Sequence, residues 1–309
     1  MTIAFMFPGQ GSQAVGMGRA FAETSGAAKR IFEEANDALG FDLRRVMFEG
    51  PEADLALTAN TQPAVLTASV AAAVACAERG ITPALAAGHS LGEYSALVVA
   101  GALRLADAVR VVRRRGELMQ EAVPVGTGAM AAIMGVNADV VEQVCAEAGQ
   151  GQVVEIANVN SEQQIVIAGH RTAVERAVAL VKERGGRKSV LLPVSAPFHC
   201  SLMSPAAEGL AVELSKVTVS DPTIPIVRNV DGAVTRRAAD VVPFLLRQVA
   251  SPVRWTACVR RLAAEGATAF VEVGPGRVLS GLARRQWPDV PCHPVGDSAT
   301  LAAATEKLA

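Results

Sequence analysis

The sequence predicts an α/β protein in which a small unit is inserted into a larger one. Half of the 309 residues are hydrophobic but only 4% are aromatic, so the core must consist of Ala, Val, Leu and Ile. Such a core is typical of helices packed on a parallel sheet. Short apolar runs alternate with helical periodicity, except over residues 127–195, where the order becomes βαββαβ, that of a ferredoxin-like unit. We therefore assign residues 1–126 and 196–309 to the larger unit.

The N-terminal part of the larger unit is expected to contain two strands and several helices. Residues 3–7 form an apolar run that ends at Pro8-Gly9, as a buried parallel strand would. A second apolar segment leads directly into a Gly-X-Ser-X-Gly pattern, and helical periodicity resumes after it. The expected elements are helices near 17–39 and 61–79, a strand at 83–87, and helices from 93 and over 104–121.

The inserted unit and the C-terminal part follow from the same periodicities. In the insertion we expect strands at 130–134, 153–159, 164–168 and 188–194, with helices at 138–148 and 172–184. After the insertion we expect helices near 201–215 and 239–249, a strand at 269–273, the turn 274–276 and a terminal helix.

Composition excludes several classes of protein. The formal net charge is −1, so there is no basic excess of the kind that nucleic-acid binding requires. The longest apolar stretch, 64–77, is shorter than the roughly 18 residues of a membrane span. The N-terminus lacks the pattern of a signal peptide, and the five cysteines, without a CxxC pair, indicate neither disulfides nor a zinc site. We expect a cytoplasmic protein that does not bind membranes.

The sharpest chemical signal is Gly-His-Ser-Leu-Gly at 88–92. On a strand-to-helix turn, a serine in this pattern presents its hydroxyl as a nucleophile, which makes Ser90 the candidate. The backbone N–H of Leu91 lies at a helix N-terminus, where it could stabilise an oxyanion. A chance glycine-rich turn is the alternative, and the preceding apolar strand argues against it.

A nucleophilic serine needs a base, and the chain has four histidines. His89 adjoins Ser90 but should point away from it on such a turn. His170 lies inside the insertion, and His293 lies in a polar, proline-flanked tail. His199 lies where the chain returns to the larger unit and a cleft would form, so it is the favoured base. Cys200 is a competing nucleophile only if its thiol is not an inert buried one.

Two further segments could belong to a site. The loop at 7–13 lacks a phosphate-binding pattern and could instead lend an oxyanion N–H, or be a simple turn. In the helix over 104–121, Arg114 lies opposite the small and apolar face, whereas Arg113 and Arg115 flank that face. An arginine at such an edge either extends outward to solvent or binds an anion in the site.

Seven co-linear blocks resemble the bacterial malonyl-CoA:acyl carrier protein transacylases over essentially the whole chain. They are FPGQGSQ at 7–13, GHSLGEYSAL at 88–97, RGELMQEAVPVGTGAM at 115–130, NVNSEQQIVIAG at 158–169, PFH at 197–199, RQVASPVRW at 247–255 and EVGPG at 272–276. The resemblance implies an α/β-hydrolase-like large subdomain with a ferredoxin-like insertion. This agrees with the element order above.

The resemblance also implies roles for individual residues. Ser90 matches the acylated serine, His199 its base, Arg115 the arginine that binds the malonyl carboxylate, Gln10 and Leu91 the oxyanion N–H donors, and Gln248 the glutamine whose main-chain carbonyl accepts from the histidine. Phe198 departs from the serine found at this position in some members. A Phe-His pair is similar to the form associated with malonyl rather than branched malonyl groups.

The implied reaction moves malonyl from coenzyme A to an acyl carrier protein through an acyl-serine, supplying fatty-acid synthesis. Exchange of one thioester for another requires no ATP, metal or redox cofactor, and we expect a monomer. An acidic partner such as the carrier could dock on one of four basic clusters, each of which could instead be ordinary solvated surface: Arg113-Arg114-Arg115, Arg187-Lys188, Arg236-Arg237 and Arg284-Arg285. The alternatives are an acyltransferase of a polyketide synthase or malonate decarboxylase, a serine esterase, and a non-catalytic carrier-binding module.

Overall fold

The computed structural model describes residues 1–308 and has two separate sheets. The strands are β1 Ile3–Phe7, β2 Leu85–Gly88, β3 Gly128–Met134, β4 Val154–Ser161, β5 Gln164–His170, β6 Lys188–Leu191, β7 Ile226–Val227, β8 Val234–Thr235, β9 Ala269–Val273 and β10 Cys292–Val295. The predicted α/β class is confirmed, because one sheet is mostly parallel and flanked by helices while the other is antiparallel.

Fourteen α-helices of the described chain connect these strands. They are α1 Arg19–Thr24, α2 Gly26–Leu39, α3 Leu43–Glu49, α4 Glu52–Ala56, α5 Thr58–Glu78, α6 Gly92–Val99, α7 Leu105–Glu121, α8 Ala138–Gly149, α9 Arg171–Glu183, α10 Ser204–Leu214, α11 Ala238–Val249, α12 Trp255–Ala264, α13 Val278–Gln286 and α14 Ser298–Leu308.

The larger sheet has the order β10-β9-β1-β2-β7-β8 and is parallel except for its last strand. All five residues of β1 are buried, as a central parallel strand requires. Their side chains alternate between two cores, with Phe5 and Phe7 in one and Ala4 and Met6 in the other. Because both faces of the sheet are covered, a site is expected in the loops that follow the carboxyl ends of β1 and β2.

The smaller sheet has the order β4-β5-β3-β6 and lies between Gly128 and Leu191. Helices α8 and α9 cover one of its faces, where Ala131 and Ile133 belong to a separate core. The alternating residues Met130 and Ala132 join the core of the larger unit instead. The inner face of this sheet therefore forms one wall of a cleft between the two units.

Helix α5 is the buried helix that the apolar stretch predicts, although it begins at Thr58 rather than near 61. It packs against α2 and α7 beneath the larger sheet. Within residues 1–308, no helix is both long and apolar enough to cross a bilayer.

Several predicted elements were wrong in their extent. The helix expected over 17–39 is two helices, since Ser25 leaves helical geometry and its Oγ accepts from the Ala28 N–H as the N-cap of α2. Strand β6 ends at Leu191 rather than 194, and Pro193, which has no N–H to donate to a ladder, follows closely. The segment expected to begin a helix at 201 is first a 3₁₀ turn, Ser201–Met203.

The C-terminal region holds more structure than the sequence predicts. The terminal helix expected after residue 276 is α13, and a strand and a helix follow it. Strand β10 extends the edge of the larger sheet beside β9, so His293 lies on a strand and not in a polar tail. The short strands β7 and β8 were also missed, because two-residue strands have no measurable periodicity. Helix α12 was missed as well.

Candidate active site

The turn between β2 and α6, residues 88–92, presents Ser90 at the carboxyl edge of the larger sheet. Ser90 has φ +53°, a left-handed conformation that is costly for a residue with a Cβ. A Cβ on Gly88 would overlap the backbone of Gly92, and one on Gly92 would overlap the backbone carbonyl of Phe7. Both glycines are therefore required by the close approach of this turn to itself and to the loop after β1.

His199 lies in direct contact with the candidate nucleophile. Its Nε2 is 2.6 Å from Ser90 Oγ, and its Nδ1 is 2.9 Å from the main-chain oxygen of Gln248. A carbonyl oxygen only accepts, so Nδ1 carries the hydrogen and Nε2 is left to accept a proton from Ser90. The structure thus brings together three residues that lie 109 and 49 positions apart in the chain.

The environment of His199 keeps its ring neutral. The side chain is 4% exposed, and burial, with a further contribution from the positive charge of Arg115, lowers its pKa from 6.5 to about 3. A neutral imidazole whose Nε2 is unprotonated is the form that a general base needs.

Arg115 extends from α7 into the same site and is only 2% exposed. Its guanidinium donates to Gln62 Oε1 at 2.7 Å, to Gln248 Oε1 at 3.0 Å and to Ser90 Oγ at 3.2 Å. All the acceptors are neutral, and the Arg115 Nε is buried with no hydrogen-bond partner in residues 1–308. A buried cation with spare donors beside a nucleophile is suited to bind a carboxylate.

The two preceding arginines lie outside the site. Arg113 contacts Asn60 and the ring of Phe41, and it pairs with Glu117. Arg114 pairs with Glu117 and Glu121 on the outer side of the helix, where the helical spacing placed it. The choice between Arg113 and Arg115, which helical spacing left open, is thus decided by the packing of α7 against α5.

The two expected oxyanion donors, Gln10 and Leu91, both line the cavity that contains Ser90. Leu91 precedes the first residue of α6, so its N–H lies at a helix N-terminus. Gln10 lies in the loop after β1, and its side chain accepts from Thr58 Oγ1 at 2.6 Å. Gly9 lets this loop approach the turn, since a Cβ there would overlap the carbonyl of His89.

The cavity around Ser90 has a volume of about 520 Å³ and is lined by both units. Phe198, 8% exposed, adjoins the base and forms part of its wall. From the smaller sheet and its return segment come Met130, Asn158 and Leu192. The cavity is large enough for an acyl group together with part of the chain that carries this group.

His89, His170 and Cys200 hydrogen-bond to groups other than Ser90 Oγ, although His89 lines the same cavity. His89 Nε2 is 2.9 Å from Asn160 Oδ1, and His170 Nδ1 accepts from the N–H of Val153. Burial raises the pKa of the Cys200 thiol to about 12, so it remains protonated and unreactive at neutral pH.

The sequence did not predict the side-chain contacts of three buried polar residues in the site. Asn229 Oδ1 accepts from the Ser90 N–H at 2.6 Å. The side chain of Gln248, in addition to its carbonyl, contacts Ser90, Glu93 and Arg115. Burial raises the pKa of Glu93 to about 7, although the hydrogen bonds that its carboxylate accepts from Gln248 and Asn229 act to lower it. Glu93 and Gln248 lie within two of the seven blocks of resemblance, whereas Asn229 lies outside all of them.

A second cavity of about 600 Å³ lies at the other end of the smaller sheet. Its lining includes Arg187, Arg260 and Arg285, and none of the three forms an ion pair within residues 1–308. In that same described range no cluster of His, Cys, Asp or Glu has the geometry of a metal site.

Residues 4–290 match the model of a family described as acyl transferase domain. Among relatives, a malonyl CoA-acyl carrier protein transacylase of Salmonella typhimurium is 50% identical and covers 97% of this chain and 98% of its own. One of Bacillus subtilis is 48% identical, with 99% and 97% covered.

Solved structures show the same similarity. A malonyl CoA-acyl carrier protein transacylase of Coxiella burnetii superposes with a TM-score of 0.97 at 41% identity, covering 100% of this chain and 98% of the other. A malonyl-transacylase in complex with a type II polyketide acyl-carrier protein gives 0.96 at 45% identity, with 99% and 100% covered. The likeness therefore extends over both units and the cleft between them.

Proposed function

The chain belongs to the acyl transferase domain family, and from that premise we propose that it moves malonyl from malonyl-CoA to the thiol of an acyl carrier protein, supplying fatty-acid synthesis. The observation that carries this proposal is the buried guanidinium of Arg115, 3.2 Å from the hydroxyl of Ser90. A serine alone would suit many acyl groups, whereas this cation selects an acyl group that ends in a carboxylate.

In the first half-reaction Ser90 Oγ attacks the thioester carbon while His199 Nε2 takes the hydroxyl proton. The N–H groups of Gln10 and Leu91 stabilise the tetrahedral oxyanion. When the intermediate collapses, the C–S bond breaks, the proton on His199 passes to the leaving sulfur, and coenzyme A departs as the free thiol. Malonyl remains as an ester on Ser90.

The second half-reaction reverses these steps with a different thiol. His199 takes the proton of the carrier's pantetheine thiol, the sulfur attacks the malonyl ester, and Ser90 leaves with its proton restored. The first product departs before the second substrate binds, which gives ping-pong kinetics. One thioester is consumed and one is formed, so the residues named above suffice without a cofactor.

Both substrates bear a phosphate at the end of the pantetheine arm opposite the sulfur. The second cavity, which is lined by arginines, could bind this phosphate. Met130 lines the Ser90 cavity and Met134 lines the second one, on the same face of β3 and about 13 Å apart at the rise of a strand. We place the phosphate end, and the carrier protein attached to it, beside Arg187, Arg260 and Arg285.

The cell compartment and assembly state follow as parts of the same proposal. All five cysteines are free and buried, which suits a reducing cytoplasm. Each residue assigned to the site comes from a single chain, so the monomer is sufficient for the reaction.

A serine esterase is the alternative from a different class. Its histidine is usually oriented by a carboxylate, whereas His199 Nδ1 is held by a main-chain carbonyl. An esterase also gains nothing from a buried arginine beside the nucleophile. Transfer to water at a rate near that of transfer to a carrier thiol would favour the esterase.

The decisive experiment follows the covalent intermediate. We expect brief incubation with malonyl-CoA, acid quench and digestion to add one malonyl mass to the peptide that contains Ser90. Ser90→Ala protein with a wild-type circular dichroism spectrum is the control and should stay unlabelled. Malonyl found on another peptide, or undiminished transfer by Ser90→Ala, would refute the proposed function.

A further inference from the structure

Ser90 is held in a strained conformation by a side chain from a distant loop. Asn229 is fully buried, and its amide contacts both sides of the turn. Its Oδ1 accepts from the N–H of Ser90 at 2.6 Å, and its Nδ2 donates to the carbonyl of Gly88 at 2.7 Å. A residue with a Cβ keeps a left-handed conformation only when surrounding contacts hold it there, and the two hydrogen bonds of the Asn229 amide are such contacts.

Glu93, the second residue of α6, in turn holds Asn229. Its side chain is 3% exposed, and its Oε2 accepts from the main-chain N–H of Asn229 at 3.1 Å. The same oxygen accepts from Nε2 of Gln248 at 2.8 Å. One buried carboxylate oxygen thus joins two segments that lie 136 and 155 residues from it in sequence.

Gln248 connects that carboxylate to the rest of the site. Its Nε2 also contacts the main-chain oxygen of Ser90 at 3.0 Å, its Oε1 accepts from Arg115, and its own carbonyl accepts from His199. A rotation of this residue would therefore move the base and the guanidinium together.

We propose that Glu93 and Asn229 are positioning residues that keep Ser90 and His199 in reacting geometry. This inference rests on the proposed function and extends it. Glu93 acts through Asn229 on the nucleophile and through Gln248 on the base, without touching either reacting atom. It supplies a buried acceptor oxygen to a dyad whose histidine contacts a carbonyl, and removal of that oxygen would leave the buried N–H of Asn229 without its acceptor.

The test is the rate of malonyl-Ser90 formation in a single turnover, per folded molecule, at saturating malonyl-CoA. Misplacement of a reacting group by about 1 Å costs on the order of 100-fold. We expect Asn229→Ala and Glu93→Ala to lower this rate by about 10- to 100-fold, with KM changed less than about threefold. Glu93→Gln keeps an acceptor oxygen and should restore part of the rate.

Glu272 offers a matched control. It is also a fully buried carboxylate that accepts from two N–H groups, those of Leu279 and Ser280, but it caps α13 away from the site. Glu272→Gln should lower the melting temperature as Glu93→Gln does, yet leave the single-turnover rate of the folded protein within about twofold of wild type.

The outcomes separate this inference from the proposed function. If wild-type Ser90 is acylated but Glu93→Gln, Glu93→Ala and Asn229→Ala all react within about twofold of wild type, the positioning role is refuted and the function stands. A rate loss as large in Glu272→Gln would refute it as well. Should Asn229→Ala fail to fold, Asn229→Asp decides, because it keeps the acceptor for Ser90 and loses the donor to Gly88, and an unchanged rate overturns the inference.

Discussion

At the scale of single residues, the proposed function makes Arg115 the residue that selects the acyl group. Removal of its guanidinium leaves a malonyl carboxylate unpaired in a desolvated pocket, which costs about 2–5 kcal/mol. An acetyl group has no carboxylate and therefore loses no such contact. We therefore expect Arg115→Ala to flatten or invert the ratio of kcat/KM for malonyl-CoA over acetyl-CoA, measured by steady-state transfer to a carrier protein.

The neighbouring arginines are the controls for that measurement. Arg113 and Arg114 have the same chemistry and lie on the same helix, but they pair with Glu117 and Glu121 outside the cavity. Arg113→Ala and Arg114→Ala should leave the ratio unchanged. An equal fall for both substrates in Arg115→Ala would show that this residue maintains the structure rather than the selectivity.

In the proposed function, Phe198 limits the room beside the malonyl α-carbon. Its ring forms part of the cavity wall next to His199, where a methyl substituent would be crowded. One methyl group is worth about 1–3 kcal/mol in such a pocket. Wild type should prefer malonyl-CoA over methylmalonyl-CoA, and Phe198→Ser should narrow the preference about tenfold. Equal kcat/KM for the two substrates in wild type would contradict this role.

The pKa of His199 predicts the pH dependence of acylation. Burial and Arg115 lower this pKa from 6.5 to about 3, so the base is neutral throughout the range in which an ordinary histidine titrates. We expect the logarithm of kcat/KM for malonyl-CoA to show no acidic fall with an apparent pKa near 6.5. Initial rates from pH 5 to 8 would reveal such a fall. Glu93 also titrates in this range, since its pKa is raised to about 7, so a fall that persists in Glu93→Gln would contradict the lowered pKa of His199.

The same pKa links the stability of the protein to pH. In the unfolded chain His199 takes up a proton below about pH 6.5, whereas in the folded protein it does so only below about pH 3. Acidification between these values therefore favours the unfolded state, and this histidine alone lowers the free energy of unfolding by on the order of 1 kcal/mol per pH unit. His199→Ala should reduce that slope in urea titrations.

At the scale of elements, the turn from β2 to α6 works only because the loop after β1 lies against it. A Cβ on Gly92 would overlap the carbonyl of Phe7, so Gly92→Ala must displace one element from the other. We expect it to lower the free energy of unfolding by more than about 2 kcal/mol and to abolish acylation.

A second glycine controls for the substitution itself. Gly149, the last residue of α8, has no atom within 4 Å of where its Cβ would stand. Gly149→Ala should be neutral or stabilising by up to about 1 kcal/mol, because alanine loses less chain entropy in a helix. Equal effects of the two substitutions in chemical denaturation would show that the turn tolerates a side chain.

At the scale of the whole molecule, the proposed function has substrates approach Ser90 along the cleft between the two units. If Arg187 and Arg285 hold the phosphate end of the carrier's arm, Arg187→Glu with Arg285→Glu should raise KM for the carrier protein at least tenfold. This effect should shrink as salt is added. The substituted protein should still acylate Ser90 at a near-normal maximal rate.

The exposed pair Arg236 and Arg237 tests whether the effect is local. These residues pair with Glu265 and Asp240 away from the cleft. The charge change is identical in Arg236→Glu with Arg237→Glu, so a general loss of attraction would appear in both proteins. A rise in KM confined to the first pair supports the docking path, and an equal rise in both contradicts it.

Local pattern accounts for much of the molecule. The run at 3–7, the helix that begins after Ser90 and the βαββαβ order were each predictable, because strand and helix periodicity depend on neighbouring residues. Ser90 was identifiable for the same reason, since its turn is built from five consecutive residues. The seven blocks of resemblance added the family and the roles of residues far apart in the chain.

Tertiary structure decided what depends on contacts between distant segments. The sequence by itself determined the α/β class and the βαββαβ order of the insertion, and it predicted Ser90 as the nucleophile. Helical spacing did not distinguish Arg113 from Arg115, and the folded chain places Arg115 in the cavity. Only the folded chain joins Asn229, Glu93 and Gln248 around Ser90. Asn229 and Gln248 lie 136 and 155 residues from Glu93 in the sequence, whereas Arg113 and Arg115 differ by only two positions on one helix. Their selection depends on which buried donors and acceptors must satisfy one another once water is excluded.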